Sequence, residues 1–191
     1  MEPVLLLINP AMKTDGQRLP NAGGMATMEP LSLAYVAAQT PPHWDVRIVD
    51  EVMEDIPEDD TPDLVGLTSL SITATRAYEL ARHYRQRGVP VVMGGVHATL
   101  VPDEAAHYVD VVFQGEAEAS WSSLIRDFEA GQLKARYNGG LASLRNLHLP
   151  RRDLYQHHYF LQLVSASRGC RYRCEFCTLW KLDGGRYRAR P

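Results

Sequence analysis

The sequence predicts an α/β protein in which a doubly wound, parallel five-stranded sheet is followed by the opening of a second domain. Three observations carry this. Short β-branched runs alternate with helical stripes over about the first 130 residues. The first of these runs, Val4–Asn9, is apolar nearly throughout, as expected of a strand buried on both faces. The composition then breaks. Residues 151–191 hold nine Lys or Arg against Asp153, Glu175 and Asp183, a formal +6, so the chain's net −3 leaves −9 for residues 1–150. A length of 191 residues suits about one ordinary domain, and 45% hydrophobic content excludes disorder. Three cysteines are too few for a disulfide scaffold. No apolar run approaches the roughly 18–20 residues that span a bilayer. The first run, Val4 to Ile8, is too short for a signal-peptide core and follows Glu2. A soluble, cytoplasmic protein is expected.

In chain order, Val4–Asn9 reads as the first strand and Pro30–Thr40 as the first helix, stopped by Pro41 and Pro42. Val46, Ile48 and Asp50 mark the second strand, and Leu64–Ser69 the third. Thr73–Arg87 places Ala74, Ala77, Ala81 and Tyr84 on one helical stripe, ended by Gly88. Val89–Met93 is the fourth strand. Pro102, Asp103 and Glu104 suit the first turn of a shorter helix. Val109–Gln114 is the fifth strand, and Ala117–Ala130 a helix with Trp121, Leu124, Ile125 and Phe128 on one face before Gly131. Such alternation implies a parallel sheet covered on both faces. Right-handed crossovers then give a flavodoxin-like strand order, 2-1-3-4-5.

Ligands of such sheets bind beyond the carboxyl ends of the strands, near the reversal of strand order. There the sequence has Asn9-Pro10, a loop running to Gly23-Gly24, Ser69-Leu70-Ser71-Ile72-Thr73, Gly94-Gly95-Val96-His97, and Gln114-Gly115-Glu116. Asn9, Ser69, Leu70, Ser71, Gly94, Gly95, His97, Gly115 and Glu116 are the candidate binding residues of this shelf. Plainer readings stand beside them. The glycines serve as turn residues, Ser69–Thr73 caps the following helix, and His97 is a hydrogen-bonded loop residue. No G-x-G-x-x-G or Walker sequence follows the first strand. A phosphorelay receiver needs an acid where Ser69 stands. This half alone predicts a ligand-binding domain without naming its ligand.

The basic segment holds Arg168-Gly169-Cys170-Arg171-Tyr172-Arg173-Cys174-Glu175-Phe176-Cys177, a C-x₃-C-x₂-C spacing. Three thiols packed so closely suit a shared metal. A four-iron cluster ordinarily takes four thiolates, so three would leave one iron open to a small molecule. The arginines would offset the cluster's charge. Alternatives are a zinc site completed by His157 or His158, unligated thiols and a catalytic cysteine pair.

Cys170, Cys174 and Cys177, with Phe176 before the last, resemble the cluster motif of the radical S-adenosylmethionine (radical SAM) enzymes. Leu163-Val164-Ser165-Ala166-Ser167-Arg168-Gly169 looks like that family's first barrel strand. The earlier part resembles the Rossmann-like cobalamin (B12)-binding domain of one branch, through Asn9-Pro10, Pro30-Leu31-Ser32-Leu33-Ala34-Tyr35, Gly94-Gly95-Val96-His97-Ala98-Thr99 and Gly115-Glu116-Ala117-Glu118. The resemblance implies a cobalamin-binding domain at 1–130, a linker at 131–160 and the start of a radical SAM domain at 161–191. It implies that the three thiolates hold a [4Fe–4S] cluster whose open iron binds S-adenosylmethionine. Reductive cleavage would then yield a 5′-deoxyadenosyl radical for methylation or related chemistry. Phe176 would lie over the adenine, with a plain core role as the alternative reading. An electron donor such as flavodoxin or ferredoxin and a small-molecule substrate are implied as partners. Two departures stand out. The corrinoid motif Asp-x-His-x-x-Gly is missing, because Asp15 is followed by Gly16 and Gln17, although the branch includes domains without that histidine. Only 14 residues follow Cys177, so the (β/α) barrel is expected to be incomplete or completed by another chain. The competing readings are a stand-alone corrinoid-binding module with a vestigial motif, and nucleic-acid binding through Tyr172, Phe176, Trp180 and Tyr187, for which no recognised module is present.

Overall fold

The computed structural model describes residues 2–14, 17–18, 28–57 and 59–191. Its main sheet comprises β1 (Val4–Asn9), β2 (Asp45–Asp50), β3 (Leu64–Thr68), β4 (Val91–Gly94), β5 (Val111–Gln114) and β6 (Arg136–Asn138). The order is β2-β1-β3-β4-β5-β6, and every neighbouring pair is parallel. The first five strands follow the expected 2-1-3-4-5 order. The sixth corrects the expected count of five. It lies within 131–160, where a linker was expected, and pairs Phe113 with Tyr137 and Gln114 with Asn138. Arg136-Tyr137-Asn138 has one buried residue, too weak a pattern to announce a strand.

Around the sheet lie α1 (Leu31–Gln39), α2 (Ala74–Gln86), α3 (Val96–Leu100), α4 (Pro102–Ala105) and α5 (Trp121–Glu129). The strands are apolar on both sides because both sides are covered. Along β1, Leu5 and Leu7 pack with Leu33, Ala34 and Ala37 of α1 and Trp121, Leu124 and Ile125 of α5. Leu6 and Ile8 point the other way, to Ala77, Tyr78, Ala81 and Tyr84 of α2. These four β1 side chains are at most 1% exposed, and burial of one such side chain stabilises by roughly 1.5–3 kcal/mol. The expected stripe of α2 is the buried one, with Tyr78 and Leu80 added to it. The crossover from β2 to β3 contains no helix among its described residues.

Beyond the sheet, β7 (Ser167–Arg168) pairs antiparallel with β8 (Arg188–Ala189), and α6 (Leu179–Asp183) lies between them. The expected barrel strand at 163–169 is thus reduced to two residues. Its partner is not a parallel neighbour but the chain itself, returning through Gly184 and Gly185, both at positive φ. Among the described residues no helix is long and apolar enough to cross a membrane.

Candidate functional site

The carboxyl ends of the strands are pressed together by glycine. Gly95 has φ +92°, and a Cβ there would stand 2.9 Å from both the N and O of Ser69. The Ser69 N–H donates to Gly94 O at 3.1 Å, and His97 N–H donates to Ser69 O at 3.0 Å. The ends of β3 and β4 are therefore locked at a spacing that only glycine allows. One strand over, Gly115 has φ +75°, and its Cβ would meet Gly140 O at 2.8 Å. That approach fixes the loop after β5 against the loop after β6 and presents Glu116.

Below this rim lies an apolar slot of about 340 Å³ between the sheet and the α1–α5 face. Leu7, Gly66, Val92 and Phe113 form its floor; Tyr35, Val36 and Trp121 form its helical side. Gly66 keeps the floor low, since a Cβ there would lie 2.7 Å from Leu7 Cδ2. Gly94, Gly95, Gly115 and Glu116, all singled out from sequence, line the slot together with Glu118, Ser165 and Arg168.

The other nominated residues are placed differently. Asn9 is taken up by its neighbour strand, donating from Nδ2 to Asp50 Oδ1 at 2.8 Å. Ser69 is buried and donates from Oγ to Leu70 O at 3.0 Å. Leu70 and Ile72 project outward as exposed apolar side chains at the end of β3. Buried His97 has both ring nitrogens engaged, with Nε2 at 2.7 Å from Tyr78 Oη and Nδ1 at 3.3 Å from Ser71 Oγ. The Tyr78 hydroxyl donates to Glu104 at 3.1 Å, so it must accept from His97, which places the imidazole proton on Nε2. Burial, then the Glu104 hydrogen bond, raise the Tyr78 phenol above its ordinary range. His97 thus pins α3 to α2. The Gly23-Gly24 loop and the Asp15-Gly16 positions lie outside the described residues.

Cys170 and Cys177 are half-buried and Cys174 is exposed. The Cys177 N–H donates to Cys174 O at 3.1 Å, closing a turn. Among the described residues no three His, Cys, Asp or Glu side chains converge as a metal-holding group. His157 faces Glu54 at 3.5 Å. Phe176 is 92% exposed and does not line the slot.

The charge break of the sequence is resolved at the slot. Arg168 pairs with Glu118 and lies 3.5 Å from Glu116, while Arg188 grips both oxygens of Glu116. Burial alone would raise the Glu116 carboxyl; Arg188, the Ala142 N–H and Arg168 outweigh it and hold it below the usual carboxylate range. Asp183 moves the other way, raised by burial and then by the charge of Glu116. Sequence reasoning missed Gly66 as a slot residue, read Trp121 only as helix core, and touched Tyr35, Glu118 and Arg168 only through resemblance. The signal for Gly66 was present: a lone glycine inside Leu64-Val65-Gly66-Leu67 marks a close approach.

A doubly wound sheet with a glycine-rimmed apolar slot at its carboxyl edge defines a cofactor-binding α/β domain. Residues 25–125 match the family model of the B12 binding domain, and the chain belongs to that family. It is similar to bacteriochlorophyllide d C-8(2)-methyltransferase of Chlorobaculum tepidum, 34% identical over 169 residues that cover 83% of this chain and 37% of that one. The bacteriochlorophyllide d C-12(1)-methyltransferase of the same organism is 31% identical over 197 residues, covering 97% and 42% respectively. Hopanoid C-2 methylase of Rhodopseudomonas palustris is 27% identical over 167 residues, covering 83% and 32%. The chain therefore spans between 32% and 42% of the length of these three relatives.

Proposed function

We propose that the chain is the N-terminal part of a B12-dependent radical SAM enzyme. In this reading the slot takes the nucleotide tail of cobalamin, and the strand ends above it carry the corrin. Cys170, Cys174 and Cys177 hold a [4Fe–4S] cluster, and Phe176 covers the adenine of S-adenosylmethionine. The observation that carries the reading is the apolar, glycine-rimmed slot in a chain of this family, with Arg168, two residues before Cys170, in its wall. At about 340 Å³ the slot is too small for a macrocycle but suits a flat heteroaromatic appendage. The methyltransferase names of the relatives support group transfer to carbon, methylation or related chemistry on a small molecule.

When bound, the three cofactors would supply electron transfer, hydrogen abstraction and methyl delivery, while the protein orients them and excludes water. Trp121, Phe113 and Tyr35 make the slot dry. Glycine at 95 and 115 lets the strand-end loops close on Ser69 and Gly140, which shapes the rim of the slot. His97, with both ring nitrogens committed to Tyr78 and Ser71, would hold the rim in shape and would not itself be a ligand to a bound cofactor. The first domain runs past 130 to take in β6, with a linker up to about 160 before the cysteine-bearing segment. A flavodoxin- or ferredoxin-type donor and further chain completing the barrel, in the cytoplasm, complete the proposal. Anaerobic reconstitution with iron and sulfide should give a brown protein with cluster absorbance that Cys174→Ala loses. A colourless product removes the cluster from the proposal.

The second reading is a corrinoid-binding module without a working cluster. It is favoured by the absence of a converging metal set among the described residues. It predicts hydroxocobalamin binding that survives replacement of all three cysteines, with no cluster formed by the unaltered chain.

A further inference from the structure

We infer that Arg168 and Arg188, gripped by Glu116 and Glu118, form a positioning clamp that seats the cysteine-bearing arm against the slot, so that slot ligand and arm position depend on each other. The corrinoid reading supplies only the identity of that ligand. The clamp is built from side chains removed from most solvent: Arg168 and Arg188 are each 19% exposed, Glu116 15% and Glu118 7%. Charges so placed are screened far less than surface pairs. Their geometry suits guanidinium rather than ammonium, because Arg188 spans both Glu116 oxygens and also donates to Ala142 O at 2.6 Å. Arg168 further lies 5.3 Å over the ring of Tyr35, a slot residue.

Both sides of the clamp are stiff. Glu116 stands on loops that interlock through Gly115 and Gly139, and a Cβ on Gly139 would overlap Glu116 O at 1.8 Å. On the arm, Gly169 has φ +84° and its Cβ would fall 2.0 Å from Arg186 O, tying the turn before Cys170 to the returning strand. Displacing Arg168 therefore displaces Cys170. A second crevice of about 460 Å³ opens on the far side, between Gly95 and Thr99 of the sheet domain and Gly169, Leu179 and Asp183 of the arm. Glu116 and Arg168 line both spaces, as do Gly95 and Gly115, so an ion pair is the charged part of the partition between slot and arm crevice. Whatever presses on the partition from the slot acts on the arm, and the coupling is reciprocal.

Hydrogen exchange on the full chain tests this, comparing the unaltered protein with Arg168→Gln, Glu118→Gln, their double variant and, as a control at an unrelated exposed pair, Asp103→Asn. Without ligand, each single clamp variant should speed exchange at Arg168, Arg188 and Arg190, the amides held by this pairing, about tenfold, with β1 and β3 unchanged. The double should go no further than either single, the mark of one shared interaction. Rates within about twofold of the unaltered chain, or single effects that add, overturn the clamp. Should Arg168→Gln also loosen β1 and β3, Arg168→Lys, which keeps the charge and loses the fork, carries the same comparison. Hydroxocobalamin should then slow arm exchange about threefold or more in the unaltered chain but not in Arg168→Gln. Binding without slowing overturns the coupling. Failure of the unaltered chain to bind hydroxocobalamin ends both the corrinoid reading and the coupling, while the ligand-free comparison alone decides the clamp.

Discussion

Gly66 shows how one missing methyl group shapes the slot. Adding it as Gly66→Ala places a Cβ 2.7 Å from Leu7 Cδ2, against a side chain that is itself fully buried. The expected cost is about 1–3 kcal/mol by overpacking, read by urea unfolding. Hydroxocobalamin affinity, read by equilibrium dialysis, should fall about tenfold as the floor rises, and unchanged affinity would separate the slot from corrinoid binding. Glu116 makes a second prediction at this scale. Its carboxyl in the folded chain titrates below the ordinary 4.5, so the ion pair contributes fully above that value and is lost as pH falls through the lower folded one. Asp183 has the opposite sign: its raised folded value favours the protonated form, and ionisation above the ordinary 3.8 costs stability. A carboxyl-carbon NMR titration of Glu116 should show the depressed midpoint, moving back up in Arg188→Gln.

The strands and long helices were legible because each satisfies one local rule repeated several times. Val4–Asn9 is apolar at five successive positions, and α2 repeats its stripe through three turns. Two of the elements that escaped, β6 and α3, lack repetition. In β6, Tyr137 alone is buried, and its hydroxyl accepts from Lys134 N–H and donates to Asp127, contacts no pattern of spacing announces. Tyr137→Ala should therefore cost about 2–4 kcal/mol and detach β6 selectively, with exchange rising at 136–138 before β1. The helix α3 begins one residue after Gly95, inside what reads as a strand-end turn, and spans only Val96–Leu100. Its start is set by the β3–β4 contact, a tertiary fact. The site divided along the same line. Glycines that permit close approach could be nominated from sequence, whereas His97 and Asn9 were drawn away by partners, Tyr78 and Asp50, that only the folded chain brings near.

At the level of the whole chain, the charge break already visible in composition corresponds to a docking surface, with acids after β5 meeting arginines of the last residues. The cysteines take no part in that packing. None belongs to either hydrophobic cluster, so replacing Cys170, Cys174 and Cys177 together by Ala should leave the thermal midpoint within about 2 °C. A larger fall would show that the thiols hold the fold. The slot's wall draws on both ends of the chain: Leu7 from the first strand, and Ser165 and Arg168 from the arm. The pocket is finished only once the late segment has settled. A ligand with a narrow tail and a broad head has an order of assembly imposed on it, tail first and arm afterwards. For the ligand proposed above, release is then expected to wait on movement of the arm, so residence time, more than affinity at first encounter, is the property that this wall would control.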